Sequence, residues 1–149
     1  MAWLVPVAVL LGSCTQHDGN IGEWFGSWHL ESMYIDGELD REYAANQEQD
    51  VRQIMISFQS GVFQMAYIGS SQIFGTWSYA GETLTLIADP NSVGYINPAY
   101  LNPFPTVMYF PADVYQLEIT VTELNGRTMQ WQHVDPAGRL ITYNFRKYP

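Results

Sequence analysis

Hydrophobic and polar residues alternate along most of the chain beyond residue 22. In eight stretches large apolar residues recur at every second position, and most of their neighbours are Ser, Thr, Gln, Asn or Glu. These stretches lie near 28–34, 54–58, 63–67, 73–79, 84–86, 117–121, 129–131 and 141–145. A period of two places alternate side chains on opposite faces of a β-strand. Each stretch therefore predicts an antiparallel strand with one buried and one solvated face.

Short segments rich in turn-forming residues connect most of these predicted strands. Asn125-Gly126 is the strongest turn signal, and it predicts a type I′ hairpin turn with positive φ at both central residues. Eight short strands joined in sequence predict an all-β, up-and-down antiparallel barrel, because closure removes the exposed sheet edges. A two-sheet sandwich is the alternative architecture.

Two connections are much longer than the others. Residues 36–50 carry six acids and one Arg, and the middle of this segment could form a short helix. Residues 89–113 contain five Pro and five aromatic residues. Long loops in compact domains are often functional, and Pro lowers the entropy of the unfolded chain. We expect this second loop to be ordered against one mouth of the barrel.

The chain begins with an apolar run at 2–12 that is too short to span a membrane and fits the core of a signal peptide. The run ends in Leu11-Gly12-Ser13-Cys14, which resembles the lipobox of bacterial lipoproteins. The resemblance implies a signal peptide at 1–13, a lipidated tether at 14–22 and a barrel domain at 23–149. It also implies a diacylglyceryl thioether on Cys14, hence a membrane partner and a cell-envelope location.

Two details qualify that resemblance. No Lys or Arg precedes the apolar run, although signal peptides normally start with positive charge. A short signal with an incidental cysteine is the alternative. Thr15 stands where an Asp would favour inner-membrane retention, so we expect the outer membrane, on its periplasmic face or at the cell surface.

Composition narrows the possible partners. Of 149 residues, 47% are hydrophobic and only 14% are charged, and the net charge is −9. That surface would repel nucleic acid and anionic head groups. The single cysteine excludes an intramolecular disulfide.

Two sequence motifs carry a family resemblance. Gly26-Ser27-Trp28 lies on the first predicted strand, where lipocalins carry Gly-x-Trp. The hairpin sequence at 75–86, GTWSYAGETLTL, resembles the Gly-x-Trp…Leu-x-Leu hairpin of bacterial lipocalin-like lipoproteins, many of which have no assigned function. The resemblance covers most of 24–149. It implies that Trp28 plugs one end of the barrel under a cation from the last strand, for which Arg146 is the natural candidate if a bulge turns it inward.

Catalytic and metal-binding patterns are missing from the sequence. There is no Gly-x-Ser-x-Gly elbow, phosphate-binding loop or His-Glu-x-x-His motif, and the acids of 36–50 lack the EF-hand pattern. His133 shares the inward parity of its strand, but no two histidines have ligand spacing. We therefore expect neither an enzyme nor a bound metal or cofactor.

The candidate ligand-binding residues are large side chains with inward parity, together with aromatics of the long loop. They are Trp28, Phe63, Met65, Tyr67, Trp77, Trp131, Tyr143, Tyr95, Tyr100 and Phe104. Two functions stay open: a binding protein for a small apolar or amphipathic molecule, and an interaction or accessory module of the envelope with a filled barrel. An internal cavity above about 300 Å³ would favour the first.

Overall fold

The computed structural model describes residues 21–48, 54–67, 72–94, 116–135 and 137–148. These residues form one antiparallel sheet of nine strands that closes on itself. The strands are β1 (Gly26–Ile35), β2 (Glu38–Leu39), β3 (Ile54–Gln59), β4 (Val62–Tyr67), β5 (Gln72–Ala80), β6 (Thr83–Ala88), β7 (Gln116–Leu124), β8 (Thr128–Val134) and β9 (Leu140–Lys147). Two helices, α1 (Arg41–Glu48) and α2 (Pro90–Gly94), and a 3-10 helix at Gly22–Trp24 complete the described elements.

The barrel closes through β1, which pairs with β3 on one side and with β9 on the other. All eight predicted strands are present, and each long strand pairs with the next along the chain. The two-residue β2 is an addition at the edge of β1. The prediction of an all-β, up-and-down antiparallel barrel is therefore confirmed over the sandwich.

A β-bulge changes the face that β1 presents. The register with β9 shifts between Leu30 and Ser32, so one extra residue stands against the partner strand. Before the bulge Trp28 and Leu30 point inward; after it the buried residue is Met33. The period of two over 28–34 predicts that Tyr34 shares the inward face of Trp28 and Leu30, and this prediction is wrong because the bulge moves the alternation by one residue.

The barrel has two distinct ends. We call the end covered by the 3-10 helix Gly22–Trp24 the base; it also holds the β3–β4, β5–β6 and β7–β8 turns. The opposite end, which we call the mouth, carries α1, α2 and the turn from Asp135 to Arg139. Trp24 closes the base, with its ring centroid 4.9 Å from that of Phe58 and 5.1 Å from that of Trp77.

The acidic segment forms the expected short helix. Oδ1 of Asp40 accepts hydrogen bonds from the backbone N–H groups of Glu42 and Tyr43, which is the geometry of an N-cap. Tyr43 is buried, and its hydroxyl donates to the carbonyl of Leu30 beside the bulge. Among the described residues, no helix has the length and apolar character needed to cross a membrane.

The type I′ geometry occurs at a different turn from the expected one. Asp36 and Gly37 have φ of 49° and 83°, so they form the tight connection from β1 to β2. Neither Asn125 nor Gly126 has positive φ. Instead, Oδ1 of Asn125 accepts the backbone N–H groups of Arg127 and Thr128, each at 2.8 Å, so the asparagine side chain shapes that turn.

Candidate functional site

The barrel interior is filled by large side chains. Five of the candidate ligand residues point into it and are at most 2% exposed: Trp28, Phe63, Met65, Trp131 and Tyr143. Their neighbours Leu30, Ile56 and Leu86 are fully buried as well. In the described part of the barrel, the interior wall is therefore apolar and closed to water.

The other candidates lie elsewhere. Trp77 is only partly buried and sits at the base, where its Nε1 donates to the carbonyl of Gln59 at 2.8 Å. Tyr67 ends β4, and its side chain is outside what the structure describes. Tyr95, Tyr100 and Phe104, like the loop 89–113 beyond residue 94, lie outside the described residues.

Two polar atoms inside the barrel have no hydrogen-bond partner among the described residues. They are Nε1 of Trp131 and Oη of Tyr143, whose residues pair directly across β8 and β9. Their ring centroids are 6.2 Å apart in an edge-to-face arrangement. By contrast, Nε1 of Trp28 donates to the Trp24 carbonyl. Leaving a buried donor unpaired costs about 1–3 kcal/mol of stability. The apolar interior therefore contains two donors for which the described residues supply no acceptor.

The phenol of Tyr143 stays protonated at physiological pH and can donate a hydrogen bond. Burial raises the pKa of its phenol well above the ordinary value, and the negative charge of Asp135 acts in the same direction. Asp135 is 6% exposed, and its carboxylate binds Arg139 through the backbone N–H at 2.8 Å and the guanidinium at 2.7 Å. These bonds, the backbone one foremost, lower the pKa of Asp135. The mouth side of the interior therefore offers two neutral donors near the Asp135–Arg139 ion pair.

The cation over Trp28 is Lys147. Its Nζ lies 4.9 Å from the Trp28 ring centroid and donates to the Glu23 carbonyl at 3.0 Å. The expectation that Arg146 takes this place is wrong. Arg146 faces outward and pairs with Glu31 at 2.6 Å. The bulge in β1 lies between Leu30 and Ser32, on the mouth side of the pair His29–Arg146, so it does not change the face on which the last residues of β9 lie.

Two solved structures from Bacteroides resemble this barrel. One is a lipocalin-like protein from Bacteroides uniformis, with a TM-score of 0.57 and 19% identity over 85% of this chain and all of that one. The other, an uncharacterized protein from Bacteroides eggerthii, has a TM-score of 0.56 and 22% identity over 84% of this chain and 99% of that one. The fold is lipocalin-like. At these identities the likeness concerns the fold alone, and neither protein-family models nor curated proteins gave a match.

Metal-binding geometry does not occur in the described part of the lipocalin-like barrel. No group of three His, Cys, Asp or Glu residues there could hold an ion. His133 is partly exposed, and its Nδ1 lies 3.2 Å from the Glu118 carbonyl on β7. This histidine therefore contacts the barrel wall.

Sequence reasoning missed three residues that shape the two ends of the lipocalin-like barrel. Trp24 precedes the first alternating stretch, so no periodicity marks it. Tyr43 had a usable signal, since it is the one aromatic residue among the acids of 36–50. Asp135 precedes Pro136 in a turn sequence, and nothing in that pattern indicates the ion pair with Arg139.

The described surface also holds two cavities outside the interior. One, of about 600 Å³, lies beside the β1–β2 hairpin and is lined by Ile35, Asp36, Glu38, Leu39, Asp40 and Arg41. The other, of about 300 Å³, is at the base and is lined by Ile21, Trp24, Gly61, Trp77, Ser78 and Tyr79. The period of two over 73–79 predicts that Tyr79 points inward, and this prediction is wrong. It is 39% exposed, because it lies beyond Thr76, where the pairing of β5 with β4 ends.

Proposed function

We propose that this protein is a lipid-anchored binding protein of the cell envelope, and that its barrel takes up one small apolar or amphipathic molecule. The observation that carries the proposal is a pair of donors, Trp131 Nε1 and Tyr143 Oη, that have no partner in the described part of an otherwise apolar interior. A ligand that presents a hydrogen-bond acceptor to both would remove the cost of leaving them unpaired. The barrel is proposed as a binding protein and not as an enzyme.

A filled interior is compatible with uptake if its side chains can rearrange. Met33, Met65 and Met129 are buried inside the barrel. Methionine is unbranched and adopts many rotamers, so these residues can repack around a guest more easily than branched or aromatic side chains. We place the ligand on the mouth side of the interior, beside Tyr143.

The polar group of the ligand is expected to be neutral, such as an ester, ketone or alcohol. An ionised carboxylate loses its hydration on entering an apolar interior, which costs several kcal/mol even where donors are present. Two neutral donors do not offset that cost.

The test is calorimetric titration of the full chain with methyl laurate and with laurate at pH 7. We expect saturable binding of the ester and weaker binding of the carboxylate. Trp131→Phe and Tyr143→Phe should each weaken ester binding roughly fivefold, since one hydrogen bond is worth about 1 kcal/mol. Trp77→Phe and Tyr148→Phe make the same chemical changes at the base and should leave the affinity unchanged.

Two results would overturn this proposal. One is the absence of saturable binding of either molecule. The other is an equal loss of affinity in the interior and base variants, which would place the bound molecule outside the barrel.

The second candidate function is an interaction module of the envelope, and an apolar patch on the outer wall favours it. Val62, Phe74 and Ile87 are 45–47% exposed, and Val62 and Ile87 flank Thr76 across the β4–β5–β6 sheet. A photoreactive residue at Thr76 should then form one defined crosslink in cells that Phe74→Ser removes. The same probe at the outward Thr122 on β7 is the control.

A further inference from the structure

We infer that the base of the barrel is a docking surface for the lipid bilayer, so that the protein stands on the membrane with its mouth pointing away. The inference shares with the proposed function only the anchor at Cys14. The occupant is a lipid surface, because three independent features of the base fit one: its aromatic residues, its charge balance and the position of the tether.

Aromatic residues cluster at the base. Phe25 is 43% exposed and Tyr148 is 58% exposed, and both lie at the end of the barrel where β1 begins and β9 ends. Tyr79 and Trp77 line the cavity of about 300 Å³ at the same end. Trp and Tyr favour the membrane interface, where the apolar ring meets hydrocarbon and the polar atom stays hydrated. These side chains are therefore suited to lie among lipid head groups.

The base and the mouth of the barrel differ in their balance of acidic and basic side chains. Among the side chains that the structure describes, Glu23, Glu82 and Glu123 at the base are nearly balanced by Arg127 and Lys147. At the mouth, the described cations Arg41 and Arg139 stand against six described acids: Asp36, Glu38, Asp40, Glu42, Asp89 and Asp135. An anionic leaflet repels a carboxylate within about a Debye length of its surface. The base is therefore the end that can approach a bilayer at the lower electrostatic cost.

The tether joins the barrel at the same end. Ile21, the first described residue, lines the cavity of about 300 Å³ at the base. Cys14 is seven residues earlier, and seven residues span at most about 25 Å when fully extended. A lipid on Cys14 would therefore hold the base within about 25 Å of the bilayer.

The experiment places the full chain in phosphatidylcholine vesicles whose acyl chains carry bromine, which quenches indoles at the membrane interface. All variants carry Trp3→Phe, so emission comes from Trp24, Trp28, Trp77 and Trp131. Three of these indoles belong to the base. We expect strong quenching relative to unbrominated vesicles, and at least a twofold smaller effect in Phe25→Ser/Tyr148→Ser.

The control variant is Leu39→Ser/Val134→Ser at the mouth. Leu39 is 43% exposed and Val134 is 59% exposed, so the pair matches Phe25 and Tyr148 in apolar exposure. We expect this variant to be quenched like the parent. No quenching of the parent, or equal losses in the two variants, would overturn the inference. The mass of the N-terminal peptide shows whether Cys14 is lipidated, and the ester titration shows whether the barrel binds a ligand. Each property is therefore measured separately from docking of the base on the bilayer.

Discussion

Lys147 and Trp28 form a cation–π pair across the base of the barrel, with Nζ 4.9 Å from the ring centroid. The two residues are also register partners on β9 and β1. The pair therefore fixes the closing seam of the barrel and covers the indole at the same point. Lys147 reaches this position with the parity of an inward residue, whereas Arg146 lies on the outer face.

Removing the lysine charge should weaken the closing seam. Lys147→Met keeps most of the apolar stem but removes the cation, so we expect a loss of about 0.5–1 kcal/mol in the free energy of unfolding. Arg146→Met disrupts only an exposed ion pair and should cost less than about 0.5 kcal/mol. Urea unfolding of both variants checks this, and a larger effect at Arg146 would contradict the assignment.

Gly75 is required because β6 approaches it closely. A Cβ atom at this position would lie 1.9 Å from the carbonyl oxygen of Ile87. Gly75→Ala should therefore push β5 and β6 apart and destabilise the protein by about 1–3 kcal/mol or more. At Gly126 a Cβ would meet nothing within 4 Å, so Gly126→Ala is the matched control for denaturant unfolding. Equal stability of the two variants would disprove the close approach.

The bulge in β1 predicts opposite effects at neighbouring residues. Met33 is fully buried and Tyr34 is partly exposed. Met33→Ala should cost about 2–5 kcal/mol, whereas Tyr34→Ala should cost about 1 kcal/mol or less. Thermal and urea unfolding measure both values. The reverse order would mean that the alternation continues through residues 30–32 without a shift.

Tyr143 should make the protein sensitive to alkali. Because its pKa is raised in the folded state, the stabilisation is complete below the unfolded pKa of about 10 and is lost as the pH rises above it. Stability should then fall by up to about 1.4 kcal/mol more per pH unit in the parent than in Tyr143→Phe. Urea unfolding from pH 8 to pH 11 compares the two. Parallel curves above pH 10 would show that the phenol is not protected.

Cys14→Ser tests the anchor directly. We expect the mature parent to carry a diacylglyceryl group on Cys14 and to sediment with membranes. The variant should be unacylated and either released or retained as unprocessed precursor, because serine offers no thiolate for the thioether. Mass spectrometry of the N-terminal peptide provides the measurement. Acylated variant protein in the membrane fraction would rule out this anchor.

Local sequence patterns were enough to predict the elements and their order. Residues two apart on a strand share a face whatever the strand pairs with, so alternation alone identified all eight long strands. The helix at Arg41–Glu48 follows from the cap at Asp40 and the helix-forming residues after it. A tight hairpin at Asp36-Gly37 was also readable, since Asp-Gly is a strong type I′ signal.

The candidate site was predictable only in part. Inward parity correctly placed Trp28, Phe63, Met65, Trp131 and Tyr143 inside the barrel. It could not show that Trp131 Nε1 and Tyr143 Oη lack partners over the ranges that the structure describes, because a partner can come from any strand of the barrel. Nor could it separate Trp77 and Tyr79 from the interior, since their exposure depends on β4 beginning at Val62, opposite Thr76.

The strands, their faces and their sequential pairing into a barrel follow from the sequence alone, because these depend on neighbours a few residues apart. The bulge beside Leu30 and the choice of Lys147 over Arg146 depend on contacts between β1 and β9, such as Leu30 with Phe145 and Trp28 with Lys147, which are more than 110 residues apart. The filling of the interior depends on side chains from several strands, including Phe63 and Met65 on β4 and Trp131 on β8. No local pattern encodes which residue of one strand meets which residue of the other, because closure of the barrel fixes that register.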